Sequence, residues 1–173
     1  MVKARIAAWA VIASVAAGPA SATEFYMGEP VVKDGMQLSP AYLTGITMSA
    51  MAPGMSRAKD AVHVEIDIHA TAKEAHGFPP DAWIPYLGVK LTVAKADGSY
   101  SETKTLAPMT AADGPHYAND FAMHGPGTYK ATYVVAPPSV NGFLRHVDKA
   151  TGVPDWWKPI TVSWTFDYPA KHS

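Results

Sequence analysis

Cysteine is absent from this sequence of 173 residues, so no disulfide braces the fold and no thiolate is available to a metal. A blue-copper electron-transfer centre, which needs a cysteine ligand, is thereby excluded. Long apolar runs are missing as well: the longest, Ile6 to Ala17, is shorter than the ~20 residues of a membrane-spanning helix. Charge of one sign is not in excess, with 14 Lys and Arg against 15 Asp and Glu, which leaves no electrostatic footprint for nucleic acid. The glycine-rich phosphate loop, the nucleophile elbow and the paired Cys/His spacing of zinc modules are all lacking.

What is present begins with Lys3 and Arg5, an apolar run, and the small-residue end Ala20-Ser21-Ala22. This is the pattern of a secretory signal peptide, and it predicts removal of residues 1–22 and export of the rest. The signal takes two positive charges and no negative ones with it, so the formal charge moves from −1 to −3. Residues 23–173 suit one domain with a real core. With no disulfides in an oxidising compartment, that domain must hold together by packing.

The 15 Pro and 13 Gly, spread among valine, threonine and aromatics, predict many short strands joined by turns. Ala61 to Ala70 alternates strictly, placing Val62, Val64, Ile66 and Ile68 on one face and His63, Glu65, Asp67 and His69 on the other. Tyr86 to Ala96 and Tyr100 to Leu106 form a hairpin about Asp97-Gly98, Gly127 to Val135 and Ile160 to Tyr168 are further strands, and Glu29 to Thr47 supplies two around Asp34-Gly35. Two long connections, 70–85 and 136–159, are of a length that is often functional. Strand count and spacing favour an all-β, immunoglobulin-like β-sandwich.

Side chains two apart on a strand project the same way, so His63 and Glu65 can converge on one ion; an ordinary solvated face would read the same. Met109 and His116 bracket an Asp-Gly-Pro turn and fit one site if the loop folds them together, although core filling and turn capping explain each of them separately. His146 lies in the second long connection. His76, His124, His172 and the spaced Met48, Met51 and Met55 are weaker candidates. Imidazole with carboxylate suits copper(II), zinc or iron, and a thioether adds preference for copper(I).

The segments HVEIDIHA, WIPYLGV, PMTAADGPHY, GTYKATYVVAPPS, RHVDKATGV and WWKPITVSWTF resemble, in order and over nearly the whole mature chain, the periplasmic iron-transport-associated copper-binding family. That family includes a treponemal membrane antigen and iron-uptake proteins of Gram-negative pathogens. The resemblance implies a periplasmic immunoglobulin-like homodimer that binds copper near the dimer interface and serves an inner-membrane iron permease, with iron ions as cargo. It places copper on His63 and Glu65 of the H-x-E strand, Met109 and His116 of the P-M-x5-P-H segment, and His146 of the R-H loop. It also raises a second metal ion, iron or manganese, with Asp113, His69 and the Met48 to Met55 stretch as neighbours. Relatives often carry a further histidine two positions before the R-H one, where this chain has Leu144. A copper chaperone or resistance protein is the alternative function, and the residues by themselves show a ligand set rather than turnover.

Overall fold

The computed structural model describes residues 23–56, 58 and 61–170; the predicted signal peptide, 1–22, lies outside them, as does His172. Ten strands follow in order: β1 (Thr23–Tyr26), β2 (Val31–Lys33), β3 (Met36–Thr44), β4 (Ala61–Ala70), β5 (Gly88–Lys95), β6 (Ser101–Thr105), β7 (Ala107–Ala111), β8 (Gly114–Ala122), β9 (Gly127–Ala136) and β10 (Ile160–Tyr168). They build two antiparallel sheets. One has six strands in the order β1-β3-β4-β8-β7, with β2 also on β3; the other is β10-β9-β5-β6. Packed face to face, they make the immunoglobulin-like sandwich. Among the described residues no helix is long and apolar enough to cross a membrane.

The alternation in the sequence does what a half-buried strand requires. Val62, Val64, Ile66 and Ile68 of β4, Val89, Leu91 and Val93 of β5, and Tyr129, Ala131, Tyr133 and Val135 of β9 are all buried in one core. From β10, Ile160, Val162, Trp164 and Phe166 close it. The predicted Asp34-Gly35 turn joins β2 to β3 with positive φ at both residues, 49° and 76°, the backbone of a type I′ hairpin. A Cβ on Gly35 would stand 2.8 Å from Glu74 Cα, which reserves that position for glycine.

One expected loop is not a loop. Residues 107–122 form the β7–β8 hairpin, closed through Ala111 opposite Gly114, and the hairpin extends the six-stranded sheet beyond β4. The two long connections are ordered against each other. His76 stacks on the Trp156 ring at 4.9 Å, Phe78 on Phe143 at 6.0 Å, and His76 Nε2 lies 3.1 Å from the Asp155 carbonyl. Trp83 stacks on Tyr117 at 5.0 Å, so these tryptophans pack within the chain.

Tyr117 ties the first connection to β8. It is fully buried, donates its hydroxyl proton to the Ile84 carbonyl at 2.8 Å and accepts the Leu87 N–H at 3.0 Å. Tyr117→Phe orphans both groups and is expected to cost about 1–3 kcal/mol; urea unfolding checks it, and a smaller change would show that the corner has another support.

Candidate metal centre

The site lies on the face of the six-stranded sheet opposite the core and is built around β4. His63 stands opposite Leu43 of β3 and Asp120 of β8, while Glu65 stands between Ala41 and Ala118. Residues paired across antiparallel strands share a face, so two alanines flank the carboxylate and leave it room. Met109 of β7 pairs directly with His116 of β8, which places thioether and imidazole side by side. The hairpin, rather than a folded loop, sets this pairing and carries His116 to the site.

His63, Glu65 and His116 each offer one ligand atom, and these atoms lie within 4.8 Å of one another. The residues are only 3%, 3% and 5% exposed, unlike an ordinary solvated strand face. The two rings stand 5.9 Å apart at 79°. Glu65 Oε2 is 3.3 Å from His116 Nε2, yet the geometry makes no hydrogen bond and leaves that oxygen without a partner. Burial first, then the negative charges of Asp67, Glu24 and Asp113, push the Glu65 carboxyl up to about 8. His116 moves the other way, its protonation disfavoured by burial and then by His63. Two buried imidazoles, His116 disfavoured as a cation, beside an unsatisfied carboxyl oxygen are what a cation would complete.

Behind His63 stands Asp120. Its Oδ1 is 2.8 Å from His63 Nδ1 and its Oδ2 accepts the Ser56 N–H at 2.9 Å. Burial raises the Asp120 carboxyl, but the His63 contact, the Ser56 amide and Lys104 outweigh it and hold the group below its ordinary value. The sequence reading missed this residue. The available signal was its place two and four residues beyond Ala118 and His116, on the same strand face.

The remaining candidates fall elsewhere. His146 is on an exposed loop, with Nδ1 2.8 Å from Thr151 Oγ1, and does not join the three converging donors. His76 pairs with Glu74 at 2.7 Å, and His124 stacks on Tyr100 at 4.3 Å. Met55 Sδ accepts the Ala52 N–H, while Met48 and Met51 line a cavity of about 350 Å³ that reaches His63 and Asp120. Among the described residues no second group of His, Asp and Glu donors converges, so the second iron or manganese ion finds no ligand set of its own. Asp67 and Asp113 act on the site through their charge instead.

Residues 21–170 match the model of a family described as Fe2+ transport protein. The chain belongs to that family. A UPF0423 protein of Brucella abortus is 42% identical over 154 residues, covering 86% of this chain and 84% of its own. The 34 kDa membrane antigen of Treponema pallidum is 35% identical over 161 residues, 90% of this chain and 78% of the antigen. Among solved structures, a copper-bound glutamate-to-glutamine variant of FetP from uropathogenic Escherichia coli superposes with a TM-score of 0.81 at 42% identity, covering 86% of this chain and 99% of that one. Copper-reconstituted P19 of Campylobacter jejuni gives 0.80 at 34% identity, with 87% and 99% covered.

The folded Glu65 carboxyl keeps its proton to higher pH than an unfolded one does. Its contribution to metal-free stability is therefore full below the ordinary carboxylate range and is lost as pH rises through about 8. Glu65→Gln is expected to raise the melting temperature of the metal-free protein at pH 9 and to change it little at pH 4. An equal shift at both values would refute the assignment of that loss to Glu65.

Proposed function

We propose that this protein is a periplasmic copper-binding accessory of iron uptake, exported by residues 1–22, with residues 23–173 as its single domain. Copper is held by His63, Glu65, Met109 and His116 of one chain together with His146 of a second copy. The observation that carries the reading is the buried, unpartnered Glu65 oxygen among donors drawn together within 4.8 Å. Imidazole, carboxylate and a neighbouring thioether form a mixed set that suits copper in either oxidation state. Copper held there would supply one-electron redox chemistry to iron, the cargo bound for an inner-membrane permease.

The relatives bear on two of these positions, Glu65 and Met109. P19 is copper-bound in variants that replace a glutamate, a methionine and an aspartate, and these positions stand at the same spacings as Glu65, Met109 and Asp113. FetP was produced recombinantly in the periplasm of Escherichia coli. For His146, support comes from its setting. Leu144 and Val147 beside it are 88% and 76% exposed, and Arg145, through the Val153 carbonyl and the Asp155 carboxylate, fixes the loop that presents them. A rigid loop carrying an imidazole between bare apolar side chains suits contact with a second copy.

The residues of the chain divide the work. His63 and His116 bind through neutral imidazoles, Glu65 neutralises charge, and Met109 offers a soft donor that favours the reduced ion. Copper titration followed by electron paramagnetic resonance should give one ion per chain. His63→Ala with His116→Ala should lose more than the roughly 10–100-fold in affinity typical of supporting residues, whereas Glu65→Gln and Met109→Ile should keep copper with altered spectra. Undiminished affinity in the double-histidine variant would overturn the site. Iron-limited growth of a deletion strain then tests the role: a copper-sensitivity defect alone would assign the protein to copper handling instead.

The second-copy assignment has its own test. His146→Ala and His116→Ala proteins, each weakened alone, should recover one intact site per mixed dimer when combined. No recovery from proteins shown to mix would assign His146 to its own chain's site, and a His146→Ala protein that is not weakened would place it outside the centre.

A further inference from the structure

Asp120 is the buried acid that the ligand set leaves unused, and every polar group around it is committed. Its amide donates to Asn119 Oδ1 at 2.8 Å, its carbonyl accepts Lys104 Nζ at 2.5 Å, and the Ser56 N–H pins Oδ2 at 2.9 Å. Only Oδ1 remains to face His63 Nδ1, at 2.8 Å. A carboxylate can only accept, so this contact puts the imidazole proton on Nδ1 and leaves the Nε2 lone pair free. No carboxylate backs His116; its ring is held by the backbone of Gly114 instead and stands beside the unpartnered Glu65 oxygen.

We propose that Asp120 is a positioning residue of the metal centre: it fixes the tautomer and ring orientation of His63 and strengthens its Nε2 as a donor to the cation. The inference rests on the metal-binding reading above and deepens it. A carboxylate behind a ligating imidazole sets which nitrogen is free and raises its basicity. Ser56 belongs to the device, because its amide stops the carboxylate from rotating away. That amide also ties the segment over the Met48 and Met51 cavity to the centre.

Asp120→Asn discriminates this role from simple packing. If the Asn carbonyl stays on His63, its NH2 group meets the Ser56 N–H, donor against donor. If it flips to satisfy Ser56, the NH2 group faces Nδ1 and forces the proton onto Nε2, which blocks the lone pair. The metal-free mature protein, labelled with nitrogen-15 at histidine, should show His63 protonated on Nδ1 in the wild type and on Nε2 in Asp120→Asn. Copper affinity should fall about 10–100-fold, and the paramagnetic resonance spectrum should change while circular dichroism stays native.

A wild-type His63 protonated on Nε2 overturns the proposal without any variant, which covers the case in which Asp120→Asn does not fold. Unchanged affinity and spectrum in a folded variant overturn it too. Failure of the wild type to bind copper would instead overturn the metal reading and, with it, the role assigned to Asp120; the tautomer measurement would then still report whether the carboxylate holds the ring.

Discussion

A carboxylate withdrawn from water needs a positive charge or a full set of donors, and Glu65 has neither: the charges that act on it, from Asp67, Glu24 and Asp113, are all negative. Much of the molecule serves to keep that group in place. Its carbonyl accepts the hydroxyl proton of Tyr133, a fully buried residue of the opposite sheet, at 2.9 Å. The strand carrying the site is thus fastened through the core to the opposite sheet. Metal ligands on strands with both neighbours paired are held more firmly than ligands on loops.

β4 meets two demands at once. Its even-numbered residues from Val62 to Ile68 build the core, while His63 and Glu65 on the other face are buried as deeply. An alternating strand is expected to have one wet face. Here His63, Glu65 and His116 on that face are buried, which strengthens the electrostatic interactions among them.

The core half of this arrangement was legible in the sequence because period-2 alternation in β4, β5, β9 and β10 reports directly on burial. The Asp34-Gly35 and Asp97-Gly98 turns were equally plain. β8 was not, since its Pro115, Asn119 and Asp120 are poor strand formers; its pairing comes from β4 and β7 on either side, a tertiary effect that a linear reading does not see. That blind spot hid both the register of Met109 with His116 and the place of Asp120 behind His63. The H-x-E pair was visible as a candidate, but its burial was not, because a polar strand face gives no sign of being covered. The second metal raised by the resemblance finds no support among the described residues: Asp113 and His69 lie close in sequence to the H-x-E and P-M-x5-P-H segments, yet they join no converging group of His, Asp and Glu donors.

The two histidines of the centre are not equivalent, and the difference follows from what stands behind each. His63 is backed by a carboxylate that is itself clamped by an amide, so its ring has little freedom. His116 sits near the start of β8 with Met109 across from it and the Glu65 oxygen beside it. A metal that prefers nitrogen and oxygen donors when oxidised and sulfur when reduced needs one fixed ligand to mark its position and neighbours among which it can exchange. In the proposed centre β4 and Asp120 would provide the fixed point, and Glu65, His116 and Met109 the choice. The asymmetry therefore resides in strand pairing, and it is present in the chain before any ion arrives.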